Sequence, residues 1–159
     1  MSKIAWVADT GRLADTDFAA VATARTMLSV IAPANKVLTA VSFEVSFEQG
    51  AGADLALQVE LCACTQATAG TSSAVTPAQL RGKGATVGAS AAKIFTAEPT
   101  TITVLKTKFC HPFGGPYLFE HPLGREVDSE VADAVLLRCK WPTGATRRAG
   151  ALNIEFEEG

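Results

Sequence analysis

A regular alternation of apolar and polar residues restricts the fold of this chain more than any other feature. In residues 41–48 every second side chain is apolar, and these side chains are Val41, Phe43, Val45 and Phe47. Successive side chains of a β-strand point to opposite faces, so this pattern predicts a strand with one buried and one hydrated face.

A second alternating segment follows a glycine-rich stretch. Leu55, Leu57, Val59 and Leu61 occupy every second position, and residues 49–54 before them contain two glycines. Two alternating segments joined by a short glycine-containing connection predict a long antiparallel hairpin, here between residues 41–48 and 55–64.

The rest of the chain predicts further short strands separated by Gly- and Pro-containing turns. About eight strands spaced in this way are typical of a sandwich, and we expect an all-β, jelly-roll-like antiparallel β-sandwich with long loops. The additional strands are predicted at residues 93–96, 101–110, 117–119, 135–141 and 152–156.

Two segments show no sustained period. Residues 1–30 are expected to form an N-terminal arm or peripheral segment, in which 17–24 is either a helix or extended, and 31–159 to form the sandwich domain. Residues 65–92 are predicted as one long loop, and loops of that length tend to be functional or to pack on a neighbour.

The composition is sufficient for one stable domain. A chain of 159 residues with 48% hydrophobic content can bury roughly 70% of the surface that its unfolded form exposes. A core of this size needs no disulfide or metal for stability. Because all four cysteines lie within apolar runs, we expect them to be reduced core residues that bind no metal.

Charge and hydropathy exclude some classes of partner. Fourteen basic residues against sixteen acidic ones leave a net charge of −2, which gives no electrostatic reason to bind nucleic acid. No stretch approaches the roughly 20 apolar residues that cross a membrane. Because the N-terminus has no continuous apolar segment, we expect synthesis in a cytoplasm without a secretory signal.

Motifs for catalysis are missing from the sequence. His111 and His121 are the two histidines, each followed by proline, and no Gly-x-Ser-x-Gly sequence is present. We therefore predict that the protein is not an enzyme and has no catalytic residue, cofactor or metal ligand. Its acidic C-terminal pair, Glu157 and Glu158, is expected to be solvated.

Seven stretches, taken together and in order, resemble a family of small tailed-phage and prophage virion structural proteins. Each stretch is short and rich in Ala and Thr, so the resemblance depends on their order along the chain. The stretches are residues 3–8, 27–36, 41–50, 68–77, 95–100, 111–115 and 153–158.

The resemblance implies a capsid decoration (cement) protein on the outer surface of the virion. Its expected partners are copies of itself, most simply as a homotrimer, and the major capsid protein. Residues 1–30 and 65–92 would then lie on neighbouring subunits. Trp6 is either the aromatic anchor of the arm or a residue that covers the core of its own domain.

A tail, fibre or host-adhesion module built on the same sandwich is the alternative, including one that binds carbohydrate. Aromatic side chains in turns are typical of sugar sites, and the candidates are Phe113, Tyr117 and Phe119 near Gly114 and Gly115. The same three side chains are equally consistent with a core cluster or a subunit interface.

Overall fold

The computed structural model describes residues 4–65, 72–82, 84–130 and 133–159 of the chain. These residues form twelve strands and two short 3-10 turns, Asp15–Asp17 and Pro112–Gly114. The strands are β1 Ile4–Asp9, β2 Arg25–Ile31, β3 Leu38–Phe47, β4 Leu57–Cys64, β5 Ser73–Val75, β6 Ala78–Arg81, β7 Ser90–Lys93, β8 Ile102–Cys110, β9 Tyr117–Glu120, β10 Val127–Ser129, β11 Ala134–Lys140 and β12 Gly150–Glu158.

Two six-stranded antiparallel sheets pack face to face as a sandwich. The first sheet has the order β10-β3-β12-β1-β6, and β9 also pairs with β3. The second sheet has the order β5-β7-β2-β11-β4-β8. The predicted all-β antiparallel sandwich is confirmed.

The order of the principal strands is that of a jelly roll. Counted in chain order, these eight are β1, β2, β3, β4, β8, β9, β11 and β12. The first sheet then has the order one-eight-three-six and the second two-seven-four-five, as in the double-sheet jelly rolls of viral capsids and lectins. β5, β6 and β7 are an insertion that extends both sheets.

The predicted hairpin between residues 41–48 and 55–64 is wrong. Both segments are strands, but β3 lies in the first sheet and β4 in the second. The glycine-containing connection crosses between the sheets instead of reversing within one. It is held there by Arg148, whose Nε and Nη2 each donate to the Asp54 carboxylate at 2.9 Å.

The predicted N-terminal arm is also wrong, because residues 4–30 belong to the sandwich. β1 pairs with β12 in the middle of the first sheet, and β2 lies between β7 and β11 in the second. Between them, Leu13 and Phe18 are almost fully buried. In segment 17–24, predicted as either helix or extended, residues 18–24 form no helix, and the 3-10 turn Asp15–Asp17 ends at its first residue. Phe18 is extended and buried.

The described residues within 65–92 contain three short strands, so this segment is not one long loop. β5 and β7 extend the second sheet next to β2, and β6 pairs with β1 in the first sheet. Residues 66–71 and 83 lie outside the described part of the chain. Sequence periodicity could not reveal these strands because each is only three or four residues long.

The C-terminal carboxylate pair is not uniformly solvated as predicted. Glu157 faces outward, but Glu158 is buried and its side chain fixes the loop before β7. Its carboxylate accepts hydrogen bonds from Gly88 N at 2.9 Å and Ala89 N at 2.6 Å, and it pairs with Lys36 Nζ at 3.1 Å.

A strap, residues 94–101, crosses the outer face of the second sheet from β7 to β8. Its Glu98 carboxylate accepts hydrogen bonds from the backbone and hydroxyl of Thr26 on β2 and, at 3.2 Å, from Nε of Arg138 on β11. Arg138 also pairs with Glu60 of β4 at 3.0 Å. One largely buried cation thus joins the strap to three strands.

Replacing Glu98 by alanine is expected to loosen the strap. The change leaves the Thr26 backbone donor and part of the Arg138 guanidinium unsatisfied, which costs on the order of 2 kcal/mol of unfolding free energy. Urea denaturation followed by fluorescence measures this loss. Glu155→Ala, on the hydrated face of β12, is the matched control, and equal stability of the two variants would contradict the assigned role.

Candidate functional site

Trp6 lies inside the sandwich. It is 4% exposed and belongs to the main core cluster, and its Nε1 has no hydrogen-bond partner among the described residues. The main core cluster contains residues of both sheets, so the Trp6 side chain points to the inner face of the first sheet. Trp6 therefore covers the core of its own domain.

Phe113 lies at the surface, with 67% of its area exposed. It is part of the 3-10 turn Pro112–Gly114, where His111 Nδ1 accepts a hydrogen bond from the Phe113 backbone. A Cβ on Gly50 would lie 2.4 Å from Phe113 N, so only glycine fits where the connection between β3 and β4 passes this turn.

Tyr117 and Phe119 are half-buried on β9 and pack against Phe43 of β3. The Phe119 ring stacks on Phe43 at 5.4 Å between centroids, and the Tyr117 ring lies tilted at 6.3 Å. Both rings thus face the interior between the sheets. The structure brings two of the three predicted aromatic residues together as core, and leaves Phe113 as the exposed one.

A small cluster closes the sandwich where β8 and β9 lie at its edge. Lys106 Nζ on β8 lies 4.2 Å from the Phe119 ring centroid and 3.4 Å from His121 Nδ1. The His121 ring meets Phe119 edge-on at 4.9 Å. This cation-aromatic contact connects the second sheet to the first, and we call it the edge cluster.

The environment of His121 favours the neutral form of its ring. Burial lowers the pKa of His121 below its ordinary value, and the neighbouring Lys106 ammonium lowers it further, while Glu126 opposes the shift. A hydrogen bond with the Arg125 backbone also opposes the shift. A protonated ring would lie beside the Lys106 ammonium, which is electrostatically unfavourable.

The outer side of β8 presents apolar groups to solvent. Val104, Leu105 and Phe109 are exposed, and among the described strands β8 pairs with β4 alone. The register of the β4–β8 pair shifts between Leu61 and Cys62, opposite Leu105. Exposed apolar side chains in one row are more informative than isolated ones, because they favour contact with another molecule.

The inner side of β8 disfavours addition of another strand. Lys106 and Lys108 point inward toward the Phe119 ring, and the register shift interrupts a regular edge. Inward charges and bulges are common protections of edge strands against edge-to-edge pairing. Contact at β8 is therefore expected to use its outward side chains rather than its backbone.

The outer face of the first sheet is predominantly acidic. Arg81 lies on the edge strand β6, but every charged side chain that β1, β3, β9, β10 and β12 place on this face is a carboxylate. The six residues are Asp9, Glu44, Glu120, Asp128, Glu155 and Glu157.

The four cysteines are reduced, buried and divided between two layers. Cys110 and Cys139 lie in the main core, and Cys62 and Cys64 lie on the outer side of the second sheet with Leu136. Burial raises the pKa of Cys62 to about 12 and that of Cys110 to about 11, so these thiols are poor nucleophiles. In the described ranges, no three His, Cys, Asp or Glu residues are grouped to hold a metal ion.

The edge cluster was not predicted from the sequence. Lys106, Lys108 and Cys110 occupy alternate positions on β8, and that spacing would have placed two lysines on the inward face. The partner of Lys106, the Phe119 ring, comes from the opposite sheet, and no local pattern indicates such a contact.

No family model, curated protein or solved structure matches this chain. Among the residues described, no helix has the length and apolar character to span a membrane.

Acidification is expected to destabilise the fold through His121. Because the folded-state pKa of His121 is depressed, the unfolded state binds more protons. The contribution of neutral His121 to the free energy of unfolding is complete above the unfolded-state pKa of about 6.5. It is lost as the pH falls below that value toward the lower folded-state pKa. Urea denaturation at pH 7 and pH 5 should show a smaller pH effect in His121→Gln than in the native protein.

His111→Gln is the matched control for that measurement and should retain the native pH effect. The pKa of Asp54 is lowered, mainly by its hydrogen bonds from Arg148. Its effect on stability appears at lower pH than that of His121, because a free aspartate titrates near about 3.9. Equal pH dependence of His121→Gln and the native chain would contradict the assignment.

Proposed function

We propose that this chain is a non-enzymatic virion protein that decorates and stabilises a capsid as a homotrimer, with the major capsid protein as its partner. The sequence resemblance to small tailed-phage structural proteins suggests the setting. The jelly-roll fold is compatible with it by analogy, because this architecture is used in capsid and lectin domains.

The observation that carries the proposal is the outward row of apolar side chains on β8. Val104 and Leu105 are exposed on a nine-residue strand at one side of the sandwich. The hydrophobic effect favours removing such side chains from water. A contact of this kind needs a partner surface, and a second copy of the chain provides one at every position of a symmetric assembly.

A homotrimer requires a contact between different surfaces of neighbouring copies. In a heterologous contact, β8 of one copy meets a different surface of the next, and three such contacts can close into a trimer. A trimer that docks on a lattice gains avidity from its repeated contacts.

Leu105→Lys is expected to convert the trimer to monomers. Light scattering on the purified chain at micromolar concentration measures the mass directly. Leu123→Lys is the matched control, because Leu123 is 97% exposed in a loop and its replacement should leave the mass unchanged. A native chain that is monomeric would contradict self-association.

Stripped capsids that are recoated with the native protein should rupture at a higher temperature than uncoated ones. A protein that binds the assembled shell, and not the dissociated subunits, stabilises the shell by mass action. The Leu105→Lys variant should restore less of this stability because it loses trimer avidity. Antibody labelling of tail tips in place of the shell would overturn the capsid assignment in favour of an adhesion role.

A further inference from the structure

A concave surface on the outer face of the second sheet has the composition of a ligand site. It has a volume of about 270 Å³ and lies at the end of the sheet opposite the cysteine-containing layer. Its lining comes from three strands and from three loops beside them. The lining residues are Ala22, Ala56, Gln58, Phe109, Lys140, Pro142 and Thr143.

Three of these side chains form one row across neighbouring strands. Lys140 of β11 is paired with Gln58 of β4, and Gln58 with Phe109 of β8. Adjacent strands lie about 4.8 Å apart, so the row spans about 10 Å. An ammonium, an amide and an aromatic ring thus stand side by side on one surface.

Each member of the row is available to a ligand. Phe109 is 70% exposed, and the Lys140 ammonium has no ion pair or hydrogen bond with any residue in the described ranges. Gln58 Nε2 donates to Glu60 at 2.7 Å, and Glu60 is itself fixed by Arg138. This hydrogen bond uses the Gln58 amide nitrogen, so its carbonyl oxygen remains an acceptor for a ligand at the concavity that Gln58 lines.

The walls of the concavity are held in place by the core. Ala22 has a φ of 65°, a left-handed conformation that is costly for any residue but glycine, and its N–H donates to Trp141 O at 2.6 Å. Trp141 is buried between Phe18 and Phe47, and Pro142 follows it directly. Strained backbone of this kind is enriched at binding sites.

We propose that this row binds a carboxylated pyranose of an acidic polysaccharide. A pyranose has an apolar C–H face that packs on an aromatic ring, and polar edges that need both donors and acceptors. Phe109 and Pro142 supply the apolar contacts, the Gln58 oxygen and the Thr143 hydroxyl serve the sugar hydroxyls, and Lys140 pairs with the carboxylate. This inference does not rest on the proposed capsid function, although Phe109 also belongs to the exposed apolar side of β8.

Methyl glucuronide and its neutral counterpart, methyl glucoside, test the proposal by NMR titration of the full chain. We expect the glucuronide to shift the amides of Gln58, Phe109 and Lys140, with a millimolar dissociation constant typical of a small open site. The glucoside should bind roughly 10-fold more weakly, and added salt should reduce the difference by screening the Lys140 contact. Equal binding of both sugars, or no binding, would overturn the proposal.

Two variants assign the contacts. Phe109→Ala should lower the affinity for both sugars by roughly 10-fold, because the stacking surface is lost. Lys140→Gln should lower the affinity for the glucuronide alone. Phe113→Ala, which removes a ring of similar exposure outside the concavity, is the matched control and should leave binding unchanged. Loss of binding in Phe113→Ala with retention in Phe109→Ala would contradict the assigned position.

Phenylacetate distinguishes a sugar site from a general site for aromatic acids. Shifts caused by phenylacetate without any caused by glucuronide would overturn the saccharide assignment. Leu105 does not line the concavity. The Leu105→Lys variant, which tests the trimer, should therefore leave glucuronide binding unchanged. The trimer and the sugar site can therefore fail separately.

Discussion

Burial of one apolar face from each sheet against the other is the interaction on which the rest of this structure depends. The residues that alternate into it come from both ends of the chain, because β1 and β12 are neighbours in the first sheet. Trp6 and Phe156 are therefore direct partners across that pair, and both are buried. Non-local pairing of this kind closes the sandwich only when the whole chain has folded, which makes the fold one cooperative unit.

The second sheet is also covered on part of its outer face, by the strap. It is therefore buried on both of its faces there, unlike a sheet of a simple two-layer sandwich. The strap brings Glu98 onto Arg138, and Arg138 also satisfies Glu60. Charges that are removed from water must be paired and hydrogen-bonded, and this network meets that requirement. It also orients Gln58 through Glu60, so the same interaction that fixes the strap prepares one wall of the concavity.

The two sheets differ in what they offer to other molecules. The first sheet presents six carboxylates and Leu118 on its outer face, and the second presents a strap, a concavity and the apolar outer side of β8. Phe109 belongs both to the concavity and to β8, so a contact with a second copy and one with a ligand would meet at this residue. Edge protection by Lys106 and Lys108 leaves the side chains of β8 available while its backbone resists unwanted strand pairing.

The sequence by itself determined the strands with a two-residue period, β3, β4, β11 and β12, because alternation is a local property of the backbone. It also indicated β8 as a strand. It also indicated the sandwich class and the reduced cysteines. It did not determine that β3 and β4 belong to different sheets, since a glycine-rich connection suits a hairpin and a crossing equally well. Only the tertiary structure decided that Trp6 is core, that Glu158 is buried, and that Lys140, Gln58 and Phe109 stand in one row. Those placements depend on register between strands distant in sequence, and local patterns do not encode such register.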